Sequence, residues 1–128
     1  LQLLHGLDPG GIRDAAALSL IPELQKRGAR QVVIKLGARG VVCLDAAGSM
    51  VDVPAFRAEH VVDATGAGDC WSAGFLAGLS EGRSMLEAAR MGNAVACASV
   101  GAAGATSGIT GRPQIQAIMG HAGPVSRK

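Results

Sequence analysis

Residues 63–69 read DATGAGD, set between the short apolar run HVV (60–62) and the stretch CWSAGFLAGL. A strand before Asp63 and a helix after Gly68 would make this segment a helix N-terminus. The first N–H groups of a helix lack internal partners, and the aligned peptide dipoles give that end partial positive charge. Small residues at Gly66, Ala67 and Gly68 let an anion reach those donors, as an anion hole. Asp69 then stands beside a site built for negative charge. As a carboxylate in a first turn it could serve only as a favourable end charge. With a phosphoryl group held nearby, it could instead take the proton of an attacking hydroxyl. The residues alone leave both open.

The rest of the chain alternates short apolar runs with helical stretches, which points to an α/β fold. DAAALSLIPELQKR (14–27) has helical composition, with Asp14 as N-cap and Gly28 as stop. Pro22 predicts a kink there, or a short turn followed by a helix capped at Ser19. QVVIKL (31–36) reads as a buried strand, GVVCLD and MVDVP as a hairpin around AAGS, and HVV as a last strand. Trp71, Phe75 and Leu79 fall on one face of the helix that follows. Ser84 and Glu87 form a capping box, Met85, Met91 and Val95 read as core, and Pro113 opens a short final helix after a Gly-rich loop. A second phosphate-friendly stretch is KLGARG (35–40), where Gly37 and Gly40 allow close backbone approach and Lys35 and Arg39 carry charge. A plain strand-to-strand turn would look the same. No G-K-[ST] follows it, so it is not a Walker loop, and GxGxxG is absent.

Composition removes other classes. With two Phe, one Trp and no Tyr, the chain has no series of stacking platforms for single strands, and its net charge of +2 comes from scattered basic residues. Nucleic acid is not an expected partner. The three cysteines form no CxxC pair and read as small hydrophobes in a reducing compartment; the three histidines are equally isolated. No apolar run reaches the roughly 18 residues of a membrane span, so neither a membrane partner nor an address other than the cytoplasm is expected. The 128 residues suit one domain. Because they open LQLLHG without Met, a piece of a longer protein is expected.

Taken together, VVDATGAGDCWSAGFLAGL resembles the C-terminal signature of the ribokinase-like (PfkB) carbohydrate kinases, D-T-x-G-A-G-D before a small-residue helix. VVIKLGARGV is similar to that family's strand and nucleotide loop, and NAVACASVGAAGATSG to its helix and loop over the adenine. The resemblance implies the C-terminal portion of a ribokinase-like three-layer α/β/α sandwich with a mostly parallel central sheet, residues 1–128 forming its nucleotide-binding and catalytic part. It implies an ATP-dependent phosphotransferase acting on a hydroxyl of a sugar or sugar acid. Asp69 would be the base, with Gly66, Ala67 and Gly68 as anion hole. Lys35, Leu36, Gly37, Ala38, Arg39 and Gly40 would line the ATP, with Gly68 at its phosphates and Asn93 nearer the base. Mg2+ would accompany the phosphates. K+ would sit by the anion hole at positions matching Asp63, Thr65, Ser99, Ala102, Gly104 and Gly108.

Ala64 departs from the family's usual Thr, Ser or Pro. The family's N-x-x-E segment and substrate lid would lie upstream of Leu1, so the fragment alone is expected to be inactive. In the full-length protein the lid implies a homodimer contact. The alternative is a truncated, non-catalytic nucleotide- or partner-binding module of the same fold.

Overall fold

The computed structural model describes residues 15–121. They divide into two compact units, one ending at Pro54 and the other beginning at Ala55. Each is considered by itself.

In the first unit, helix α1 (Ala15–Lys26) leads to strands β1 (Val32–Lys35), β2 (Gly40–Leu44) and β3 (Met50–Pro54). Pro22 is accommodated inside α1. The Asp14 cap lies outside the described residues. Gly28, at φ 96°, ends the helix as expected: Ala29 N–H donates to Leu24 O at 3.0 Å and Gly28 N–H to Gln25 O at 2.9 Å. That pair of bonds satisfies two terminal carbonyls. Ile21 and Leu18 of α1 pack with Val32, Ile34, Leu36, Val42 and Leu44. β1 alternates buried and half-buried residues, while β2, the middle strand, is buried along its whole length.

The expected hairpin between β2 and β3 is present, with Leu44 opposite Met50 and Gly40 opposite Pro54. Its turn is held by Asp45, whose Oδ1 accepts from Ala47 N–H and Ser49 N–H at 2.9 Å each. β1 also pairs with β2 antiparallel. The sheet expected to be mostly parallel is therefore antiparallel among the described residues. The reason lies in the connections. Parallel neighbours need a crossover of a dozen or more residues, and here Leu44 and Met50 are joined by a short turn.

The second unit holds α2 (Ala67–Ser80), α3 (Met85–Ser99) and α4 (Arg112–His121). HVV is not a strand: residues 60–62 belong to no ladder, and Val61 and Val62 are exposed. β-branched composition favours a strand only where a partner strand is available. The capping box forms as read, with Ser84 Oγ accepting from Glu87 N–H at 3.2 Å. Pro113 sits in the first turn of α4.

α2 and α3 approach closely because glycines face each other across the contact. A Cβ on Gly74 would stand 3.1 Å from Gly92 Cα, and one on Gly78 2.9 Å from Ala88 Cα. That stripe, rather than the Trp71–Phe75–Leu79 row, is the packing face. Trp71 is buried and stacks on Phe75 with ring centroids 5.0 Å apart, whereas Leu79 is exposed. Met91, Ala94 and Ala98 of α3 meet Ile115 of α4 in the core, with Val95 at its margin. Burial pushes the Cys43 thiol up to about 11 and raises that of Cys97, in keeping with their reading as packing residues.

The glycine contact yields a stability prediction. Gly78→Ala gains about 1 kcal/mol of helix propensity. Overpacking against a backbone atom costs about 1–3 kcal/mol. The second effect should win, so urea unfolding of Gly78→Ala should show a lower midpoint at unchanged slope. A midpoint above the parent's would mean that the helices separate without cost.

Candidate active site

The DATGAGD segment is shaped by its own first aspartate. Asp63 Oδ1 accepts from Thr65 N–H at 2.9 Å, bending the chain, and Oδ2 accepts from Gly104 N–H at 3.0 Å, 41 residues away. Val100 O receives both Val62 N–H (2.8 Å) and Asp63 N–H (3.2 Å). The segment is thus tied to the end of α3 and to the loop after it. Hydrogen bonds from the Thr65 side chain, then from the Thr65 and Gly104 backbone, hold the Asp63 carboxyl down at about 2.

A turn follows, closed by Ala67 N–H on Ala64 O at 3.2 Å. Gly66 occupies its third position at φ 75°, ψ 3°, a left-handed conformation that suits glycine. A Cβ at Gly66 would also lie 2.8 Å from Ala105 Cβ. α2 then begins at Ala67, with Gly66 as N-cap. Cys70 Sγ donates to Ala105 O at 3.1 Å, a second tie between the first turn of α2 and the loop.

The expected phosphoryl-binding residues are therefore at a helix N-terminus, as read. One of the three donors, Ala67 N–H, is already shared with the turn. Gly68 and Asp69 are exposed in the first turn. The Asp69 side chain makes no hydrogen bond or ion pair with any described residue, in contrast to that of Asp63.

Of the expected cation positions, Asp63, Thr65 and Gly104 are brought together by the bonds just described. Ser99 and Gly108 meet at the end of α3, where a Cβ on Gly108 would overlap Ala98 O and lie 3.2 Å from Ser99 O. Ser99 is fully buried, its Oγ donating to Ala96 O at 2.8 Å. Gly108 O accepts from Gln114 Nε2 at 2.8 Å. Ala102 is half-buried in the same loop.

Asn93 is inside the second unit, 4% exposed, and its Oδ1 accepts from Trp71 Nε1 at 2.7 Å. The sequence reading placed Trp71 in a helix face and Cys70 among small hydrophobes; neither carried a signal of its partner. KLGARG, in the first unit, is a tight turn between β1 and β2. Leu36 N–H donates to Gly40 O at 2.8 Å, and Gly40 N–H returns to Gly37 O. Gly37 and Gly40 have φ of 62° and 105°. Gly37 and Ala38 are exposed, with open space where a Gly37 Cβ would be, and Arg39 and Lys35 are half-buried. Leu36, by contrast, is a core residue.

Residues 11–111 match the model of the pfkB family of carbohydrate kinases. The chain is 42% identical over 83 residues to a cytidine kinase of Thermococcus kodakarensis, covering 63% of this chain and 27% of that protein. It is 39% identical over 79 residues to the 2-dehydro-3-deoxygluconokinase of Escherichia coli, 60% of this chain and 26% of that protein. Among solved structures, Arabidopsis thaliana ribokinase complexed with ribose and ATP superposes with a TM-score of 0.77 at 28% identity, over 82% of this chain and 34% of that one. The fold is accordingly ribokinase-like α/β, and the chain spans between about a quarter and a third of the length of these relatives.

The Asp63 bonds generate a pH prediction. A carboxyl held at about 2, against an ordinary 3.8, contributes to the folded state above the ordinary value and loses that contribution as pH falls toward 2. Carboxyl NMR on the product of the complete reading frame should show Asp63 titrating below 3. In Asp63→Asn, the acid limb of the stability curve between about pH 4 and 2 should flatten. An Asp63 midpoint near 4 would show that the two bonds do not persist in solution.

Proposed function

The chain belongs to the pfkB family of carbohydrate kinases, and we propose that it supplies the phosphoryl-transfer part of an ATP-dependent kinase acting on a hydroxyl of a sugar or sugar acid. The observation that carries this reading is Asp69. It is an exposed carboxylate in the first turn of a helix, next to a glycine turn suited to an anion, and it has no structural partner among the described residues. In that role Asp69 accepts the proton of the acceptor hydroxyl as its oxygen attacks the terminal phosphorus. The helix N-terminus at Gly66–Gly68 stabilises charge on the transferred group.

ATP fits what the chain offers. The open space over Gly37 lets phosphate approach the turn 35–40, where Lys35 and Arg39 supply positive charge. The ATP-bound Arabidopsis ribokinase among the structural neighbours supports the same choice of nucleotide. For a divalent ion, no three His, Cys, Asp or Glu side chains come together among the described residues. Mg2+ would accompany the phosphates of the nucleotide, as is common for that ion. Asp63 together with the carbonyls of the 63–66 turn and the 99–108 loop is a donor set suited to a monovalent cation. Bound there, K+ would add positive charge beside the anion site and hold the loop still.

A nucleoside acceptor is a second reading, favoured by the 42% identity to a cytidine kinase. Parallel assays of sugars, sugar acids and nucleosides as acceptors separate the two.

In the product of the complete reading frame, Asp69→Asn should retain ATP binding and lose about 100- to 10,000-fold in transfer rate. Acceptor-dependent ADP release at the parent's rate would remove Asp69 from the mechanism. The cation reading has its own check. Activity should rise when potassium replaces tetramethylammonium at constant ionic strength, and equal rates in the two salts would eliminate the site.

A further inference from the structure

Asp69 is followed two residues later by Trp71, the single tryptophan of the chain. The two side chains differ sharply in surroundings: Asp69 is exposed, Trp71 is 7% exposed. The indole N–H donates to Asn93 Oδ1 at 2.7 Å, joining α2 to α3 by a side-chain hydrogen bond buried at both ends. The contact around it is tight. A Cβ on Gly92 would fall 2.8 Å from the Trp71 ring and 2.9 Å from Trp71 O.

Such a pair does more than hold two helices together. A stripe of small residues lets helices approach closely, but it offers little resistance to sliding or rotation. A directional bond with both partners desolvated does resist, because leaving either group unpaired is costly. What it fixes is then decided by what each helix carries. α2 carries the GAGD turn and Asp69 at its start. α3 ends at Ser99, six residues after Asn93, and passes into the loop whose Gly104 and Ala105 bond Asp63 and Cys70. The bond therefore lies between the two pieces of backbone that the site needs in register.

We infer that Trp71 and Asn93 are positioning residues, which set the register of α2 on α3 and thereby the placement of Asp69 and its glycine turn against the 100–106 loop. Neither acts on the reacting atoms in this role. The inference rests on the reading of Asp69 as base, and extends it by naming what holds that base in place.

Three variants of the product of the complete reading frame test it: Trp71→Phe, Asn93→Leu and the two combined. Each single change removes one half of the Trp71–Asn93 bond and should lower the melting temperature. The double variant removes both halves of that bond together, so its melting temperature should fall by less than the sum of the two singles. If the pair positions the base, kcat falls about 10- to 100-fold in the singles and stays equally low in the double, since small misplacements cost that much. In Trp71→Phe, KM for ATP should change less than about twofold, as expected when an interaction of the transition state alone is lost. If the pair only stabilises the fold, kcat of all three variants, assayed well below their melting temperatures, stays within about twofold of the parent's, and the inference is overturned.

Amide hydrogen exchange reads the same effect without catalysis. Cys70 N–H, now bonded to Gly66 O, and Gly104 N–H, bonded to Asp63, should exchange at least about tenfold faster in the double variant than its change in global stability accounts for. Unchanged protection at both amides would overturn the inference even if the acceptor hydroxyl proved to have another base. A normal kcat in Asp69→Asn, alongside faster exchange in the double variant, would overturn only the role of Asp69.

Discussion

The close approach of α2 and α3 is the constraint on which the second unit depends. Gly74, Gly78 and Gly92 remove the side chains that would hold the helices apart, so backbone meets backbone. That proximity brings the N-terminus of one helix near the C-terminal end of the other, since the two are joined by the short turn around Gly82. The glycine turn and the 100–106 loop can then bond each other through Asp63 and Cys70. Had alanines stood at those glycines, the same motif could still start a helix. It would not have its loop within hydrogen-bonding distance.

Electrostatics adds to this at modest expense. Asp63 is a charge placed where backbone N–H groups of two segments converge, and hydrogen bonds to an ionised acceptor are stronger than neutral ones. Asp45 does the same within the β2–β3 turn, over a much shorter loop. Glu81 receives Arg83 at 3.2 Å and Arg112 at 2.6 Å, linking the end of α2 to the start of α4. These last pairs are substantially exposed, so screening leaves them a small share of stability. Their use is geometric: Arg112 opens α4, and Glu81 fixes where that helix begins.

What could be read from the sequence follows the range of the interactions. Caps and turns are local, so Ser84–Glu87, Gly28, Pro113 and the AAGS hairpin were legible. The helix start at GAGD was legible for the same reason. HVV was misread because a strand exists only with a partner, and composition reports propensity rather than pairing. The expected parallel sheet came from the family resemblance, whereas the short connections among these strands permit only antiparallel pairing. The partners of Asp63, Cys70 and Trp71 lie 41, 35 and 22 residues away, and nothing local encodes them. Asn93 has a long-range partner of the same kind. Its oxygen accepts from the Trp71 indole inside the unit, a bond that nothing near Asn93 in the sequence announces.

The two aspartates of DATGAGD differ in how far the fold uses their charge. Six residues apart in one motif, they look equivalent in sequence, and either could cap a turn. Asp63 has both oxygens engaged by backbone of two segments, and its carboxyl is held low as a consequence. Withdrawing it would cost local structure, which makes it a poor acceptor for a proton in transit. Asp69 stands in the first turn of α2 with no partner among the described residues. The helix end favours its negative charge, yet the turn would form without it, because Gly66 already supplies the backbone conformation. A group that the fold positions but does not use is free to exchange a proton without disturbing the fold. The proposed role of base in phosphoryl transfer has that requirement, and within this motif Asp69 suits it better than Asp63.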